Sequence, residues 1–210
     1  FSGNNGSNEV ANTESWNGSN WTEVNDMNTG RALLAGAGTS TSGLAFGGNP
    51  LTGKTESWNG SNWTEVSDFN TSRYGPGGAG ASNTAALAFG GSDAGPLQAK
   101  TESWNGTNWT EVADLNQARY NFKGSGPSSS AQLVFGGQPG TGPSTGKTEL
   151  WDGSSWSEQN DLNTARVGAA SATAGSPTAN LAFGGEGPPQ LASAEQWSSP
   201  SSTTKSISTD

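Results

Sequence analysis

Thr55-Glu56-Ser57-Trp58-Asn59-Gly60-Ser61-Asn62-Trp63-Thr64-Glu65-Val66 decides the fold, because the chain repeats it. Thr-Glu-Ser-Trp recurs at Thr13–Trp16 and Thr101–Trp104, becomes Thr148-Glu149-Leu150-Trp151, and degenerates to Ala194-Glu195-Gln196-Trp197. The Trp-to-Trp steps are 42, 46, 47 and 46 residues. A second tryptophan follows five residues after each of the first four, at Trp21, Trp63, Trp109 and Trp156. Ten residues further on stands an arginine, Arg31, Arg73, Arg119 or Arg166, and these are all the arginines in the chain. Each unit closes on Phe-Gly-Gly at Phe46, Phe89, Phe135 and Phe183, and Phe1-Ser2-Gly3 reads as the remnant of an earlier one.

Working outward, each unit predicts four short strands. Leu44-Ala45-Phe46 is an apolar strand stopped by glycines that tolerate positive φ. Thr-Glu-Ser-Trp, Asn-Gly, then Asn-Trp-Thr-Glu-Val reads as a hairpin, since Asn-Gly suits the primed turns. The run from Arg31 through Ala32 to Gly38 reads as a further strand, its small residues fitting a place where strands crowd. A lone four-stranded unit of this size cannot bury its faces, so neighbours must stack on it.

Composition agrees. The 210 residues include 32 Gly and have a mean hydropathy of −0.64, which taken alone suggests disorder, but nine Trp argue against it. Each Trp buries on the order of 200 Å². With no Cys and no His, thiol nucleophiles, Cys or His metal sites, Ser-His-Asp triads and imidazole acid–base schemes are excluded. A net charge of −9 opposes binding to phosphate backbones, and no apolar run approaches the roughly 18 residues needed to span a bilayer. The chain opens on Phe1, which predicts a processed product or a piece of a longer chain.

An apolar strand ending in Phe-Gly-Gly, then Glu-x-Trp, a Trp five residues on, and Asn-Thr-x-Arg resembles the kelch repeat of β-propellers. The resemblance covers nearly the whole chain. It implies an all-β, kelch-like β-propeller, a single domain over 1–210 of about five four-stranded blades. Residues 1–30 would be an incomplete first blade, followed by blades at 31–72, 73–118, 119–165 and 166–210. A four-bladed ring closed by the N-terminal hairpin is the alternative. The strands of each blade are lettered a (inner) to d (outer) in kelch order, with complete sets at about 31–66, 73–112 and 119–159 and the last at about 166–209. The wording of the repeats is similar to kelch-like proteins encoded by marine tailed phages, including cyanophages, that are regarded as virion or tail-associated components. Thr204-Lys205-Ser206-Ile207-Ser208-Thr209 also resembles the end of such proteins and is expected to be the outer strand of the last blade.

Within each unit the spacing separates scaffold from variable parts. Trp16, Trp58, Trp104, Trp151 and Trp197 share a position on strand c and are expected in the core. Trp21, Trp63, Trp109 and Trp156, on the outermost strand, are expected to be part-exposed. Arg31, Arg73, Arg119 and Arg166 are expected to begin the inner strand and to tie strands through an ion pair with the repeated Glu, or through carbonyls. The Asp-x-Asn set from Asp26-x-Asn28 to Asp161-x-Asn163 offers too few oxygens for Ca²⁺ and is assigned to turns. Asn17-Gly18-Ser19 and Asn62-Trp63-Thr64 fit glycosylation sequons but are what such hairpins produce anyway.

Trp-to-Trp and Trp-to-Arg distances within a unit are constant, whereas length varies between Phe-Gly-Gly and the next Glu-x-Trp: Asn49–Lys54, Ser92–Lys100, Gln138–Lys147 and Glu186–Ser193. These b–c loops share one face, where repeat proteins build binding surfaces, although drift would vary them equally. The candidate ligand contacts are Asp93, Gln98, Gln138, Thr141, Ser144, Glu186 and Gln190. Acids that are repeat copies offer no pair of unlike carboxylates for glycosidase chemistry. The expectation is a protein without catalytic residues, metal or cofactor. It would be a virion-associated structural or adhesion module, at the virion surface or extracellular, contacting glycan or neighbouring virion and host-surface proteins. Nucleic-acid binding and membrane insertion are not expected, and an oligomer or upstream segment would complete the first blade. A secreted propeller lectin and a kelch-type protein-interaction module are the alternatives.

Overall fold

The structure is a computed structural model describing residues 1–140, 142–171, 179–186 and 190–198. Among these residues there is no helix, and every strand pairing is antiparallel. A small pair, β1 (Gly3–Asn4) with β2 (Glu9–Val10), precedes the hairpin β3 (Thr13–Trp16) and β4 (Trp21–Val24). Three four-stranded sheets follow. The first is β5 (Ala35–Thr39), β6 (Ser42–Phe46), β7 (Thr55–Trp58) and β8 (Trp63–Val66). The second is β9 (Gly77–Ser82), β10 (Ala85–Phe89), β11 (Thr101–Trp104) and β12 (Trp109–Val112). The third is β13 (Lys123–Ser128), β14 (Ala131–Phe135), β15 (Thr148–Trp151) and β16 (Trp156–Gln159). A three-stranded sheet ends the described chain: β17 (Ala170–Ser171), β18 (Ala179–Phe183) and β19 (Ala194–Ser198). The expected strand at Thr204–Thr209 lies outside the described residues.

The hairpins close differently from expectation. Trp58 pairs with Trp63, and Asn59 flanks the turn, its Oδ1 accepting the amides of Ser61 (2.9 Å) and Asn62 (2.8 Å). Gly60, at φ +95°, takes the left-handed corner. The Asn side chain thus substitutes for a backbone acceptor, so its own φ need not be positive. Asp152 makes the same turn in the third sheet; amide and hydroxyl bonds from Ser154 and Ser155 hold its carboxyl down to about 2. A depressed carboxyl contributes stability above its ordinary value, and that contribution fades as pH falls towards 2. Asp152→Asn keeps the acceptor but does not titrate. Urea denaturation midpoints of the two proteins, measured as a function of pH, should therefore differ by a constant amount above about pH 4, and that difference should change between pH 4 and pH 2.

Successive sheets stack through their first strands, β5 against β9, β9 against β13, and β13 against β17. The small residues make this approach possible. The ring of Phe46 packs edge-on to Trp109 of the next sheet at 4.9 Å, and Phe89 meets Trp156 in the same way at 5.2 Å. Each ring lies over a glycine of that sheet's first strand. A Cβ on Gly78 would fall 2.8 Å from Phe46 Cζ and 2.9 Å from the Gly36 carbonyl oxygen. Backbone cannot yield as a flexible side chain can, so Gly78→Val should cost about 1–3 kcal/mol of unfolding free energy. Urea denaturation followed by tryptophan emission checks this, and an unchanged midpoint would mean that the sheets do not interlock here.

The outer tryptophans correct the expectation of partial exposure. Trp63, Trp109 and Trp156 are buried, as are Trp58, Trp104 and Trp151. Each outer indole reaches back to the preceding sheet and donates its N–H to a threonine hydroxyl: Trp63 to Thr13, Trp109 to Thr55 and Trp156 to Thr101, at 3.0–3.1 Å. An outermost strand is an edge within its own sheet, but its inward side chain faces the neighbouring sheet. At the ends of the stack no sheet among the described residues plays that part. Trp16 is 50% and Trp21 65% exposed, Leu181 and Phe183 are exposed on β18, and Trp197 is half-buried.

Candidate functional site

Arginine organises the loop face, from a position four residues before the strand and not at its start as expected. Arg31, Arg73, Arg119 and Arg166 are fully buried. Arg73 is typical: its Nη2 donates to Glu102 Oε1 at 2.7 Å, and its Nη1 donates to the carbonyls of Gly90 (3.0 Å) and Lys100 (2.6 Å). Arg31 pairs with Glu56, Arg119 with Glu149 and Arg166 with Glu195. Burial pushes the pKa values of Arg31, Arg73 and Arg119 down, and the adjoining carboxylates pull them back up. At Glu195 burial works upward, but bonds from Asn163, Arg166 and Thr164 outweigh it and the net shift is down.

The Asp-x-Asn residues complete this network. Glu102 Oε2 accepts both the backbone amide (2.9 Å) and the side-chain amide (2.8 Å) of Asn70, which leads in from the preceding sheet. Asn28 and Asn116 do the same for Glu56 and Glu149. Asp26, Asp114 and Asp161 instead accept the first amide of their own hairpin, from Thr13, Thr101 and Thr148. The residues between, Met27, Phe69 and Leu115, are buried, a core position that the Asp-x-Asn reading passed over. The signal was there, since x is Met, Phe or Leu in every copy.

That network pins both ends of every variable loop. On the Gly-Gly side, Asn49, Ser92, Gln138 and Glu186 form bridges with Ala32, Tyr74, Tyr120 and Val167. These partners come from the connection that carries the arginine, so both sets of connections emerge on one face. On the far side, Gly53, Ala99 and Gly146 accept the amides of Phe69, Leu115 and Leu162 at 2.8–3.0 Å. Expected variability across each whole loop therefore narrows to the stretch between the two anchors.

The proposed contacts distribute accordingly. Asp93 is engaged within its own loop, accepting from Gly95 N (3.1 Å) and Gln98 Nε2 (2.9 Å), which brings Asp93 and Gln98 together. Gln138 sits in a bridge, its Oε1 accepting the Tyr120 hydroxyl at 3.2 Å. Glu186 is also a bridge residue, with an exposed side chain, and Gln190 is exposed while Ser144 is half-buried. Thr141 lies outside the described residues. Tyr74 and Tyr120, the chain's only tyrosines, stand beside this rim directly after an arginine; the sequence reading did not select them. Among the described residues, no three His, Cys, Asp or Glu side chains gather as a metal site. Deleting Gly140–Pro143, between the anchors, should change the unfolding free energy by less than about 0.5 kcal/mol. Deletion extended through Lys147 removes the Arg119 and Leu162 acceptors and should be strongly destabilising; equal effects in urea melts would refute the anchor assignment.

Compared with protein-family models and with curated proteins, the chain matches none.

Proposed function

We propose that the stacked sheets are blades of a kelch-like β-propeller, about five in number, and that the chain serves as a non-catalytic binding module. It would be virion-associated in a tailed phage and contact host-surface glycan or neighbouring virion proteins through the loop face. The observation that carries this reading is the anchoring of loops of unequal length at both ends by one repeated Arg–Glu–Asn network. Rigid stems with variable tips let a surface change its ligand without disturbing its core. Five Glu-x-Trp strands, one in the first hairpin and one in each of the four following sheets, support the blade count. Polar tips rich in Gly, Ser, Thr, Asn and Gln suit a glycan or a wet contact better than a large apolar interface. A glycan array that includes bacterial surface polysaccharides tests the reading. A saturable signal lost when the tips at 93–97 and 139–144 are shortened supports adhesion. A blank array from demonstrably folded protein removes the glycan and leaves virion proteins as the partners.

A further inference from the structure

The Asn-Gly turns follow the Glu-x-Trp strands β3, β7 and β11 at the end away from the loop face. In each the asparagine side chain is held in one way. Asn59 Oδ1 accepts the amides of Ser61 and Asn62, Asn17 Oδ1 those of Ser19 and Asn20, and Asn105 Oδ1 those of Thr107 and Asn108, all at 2.8–2.9 Å. The three asparagines and the glycines after them are exposed. The amides of Gly18, Gly60 and Gly106 donate to no acceptor among the described residues.

These are the parts of a cyclisation. When a glycine nitrogen attacks Cγ of the asparagine before it, negative charge develops on Oδ1. Two backbone amides already point there, and donors so placed stabilise a developing oxyanion. The nucleophile is an unengaged amide on a residue with no side chain to shield it.

We propose that Asn17, Asn59 and Asn105 are sites of spontaneous deamidation in the folded chain. Hydroxide takes the glycine amide proton, the nitrogen bonds to Cγ, and the Cγ–Nδ2 bond breaks as the side-chain nitrogen leaves as ammonia. Water then opens the cyclic imide, so one water enters for each ammonia lost. Opening at Cγ restores the main chain and leaves aspartate; opening at the backbone carbonyl leaves isoaspartate, with an added methylene in the main chain. The third four-stranded sheet displays the aspartate form in place, since Asp152 Oδ1 accepts the amides of Ser154 (2.8 Å) and Ser155 (2.9 Å) in the same turn. Each conversion adds negative charge to a chain already at −9, at the end opposite the variable loops. The inference does not depend on what the loop face binds.

The chain carries an internal comparison. Asn5-Gly6 makes the same turn, with Asn5 Oδ1 accepting the amides of Ser7 (3.1 Å) and Asn8 (2.9 Å), but Gly6 donates its own amide to Asn4 Oδ1 at 2.7 Å. Attack by the Gly6 nitrogen must first break that bond. The test incubates the folded 210-residue chain at mildly alkaline pH and maps deamidation site by site by mass spectrometry, with tryptophan emission reporting that the fold persists. Asn17, Asn59 and Asn105 should convert roughly fivefold faster than Asn5. Asn4→Ala should bring Asn5 close to their rate, and all the rates should climb with pH. No conversion at the three turns, an Asn5 rate equal to theirs, or an Asn5 rate untouched by Asn4→Ala would overturn the proposal.

Discussion

Replacing Glu102 by Ala should lower the unfolding free energy by about 3–5 kcal/mol, the cost of leaving one buried charge of a pair uncompensated. Arg73 is fully buried, as is Glu102, so solvent cannot take over the charge. The loss extends beyond the ion pair, because both Asn70 amide groups also surrender their acceptor. Arg73 Nε already lacks a partner in its buried site, which leaves the guanidinium little reserve. Changing both members, Arg73→Leu with Glu102→Leu, should recover a good part of the loss, since a well-packed apolar pair replaces a desolvated ionic one. Recovery stays incomplete, because the Asn70 backbone amide and the Gly90 carbonyl lose these partners, while the Lys100 carbonyl keeps only the Gly90 amide and the Asn70 side chain only the Trp109 carbonyl. Chemical denaturation of Glu102→Ala, of the double variant and of its two single changes measures this. A Glu102→Ala loss below about 1 kcal/mol, or a double variant as unstable as the sum of both single changes, would show that the network does not hold the sheets.

Trp109→Ala should cost about 3–5 kcal/mol, whereas Trp21→Ala, the same motif position in the first hairpin, should cost less than about 0.5 kcal/mol. Trp109 fills the space between Phe46 at 4.9 Å and Phe69 at 4.8 Å and satisfies the Thr55 hydroxyl. Its removal leaves a cavity bounded by two sheets that cannot close it without moving together. Trp21 touches Trp16 at 5.4 Å but is 65% exposed. Parallel melts of the two variants decide the matter; similar losses would mean that Trp21 is covered in solution.

The repeat made the strands legible because it records a physical requirement four or five times. Leu44-Ala45-Phe46 before a glycine pair, and Trp58 five residues from Trp63, state alternation and turn chemistry locally, and β6, β7 and β8 follow them closely. The all-β class, the order of strands and the buried Trp58, Trp104 and Trp151 needed no tertiary information. The place of the arginine did. Arg31 looked like the first residue of a strand because only small residues follow it, but Ala35 is where pairing begins. Local sequence cannot reveal that its guanidinium must reach Glu56, 25 residues on, before the chain can extend.

The loop face divides in the same way. Unequal spacing marked the loops, but not the anchors at Gly53, Ala99 and Gly146, whose partners Phe69, Leu115 and Leu162 lie beyond the following hairpin. The outer tryptophans illustrate the boundary most clearly. Trp21 and Trp63 stand in the same five-residue spacing, yet one is exposed and the other buried, because burial depends on the sheet that arrives from elsewhere in the chain. Periodicity by itself determined which residues form strands and which faces are apolar. Tertiary structure alone decided which apolar faces are covered, since coverage comes from contacts between units that no single repeat encodes.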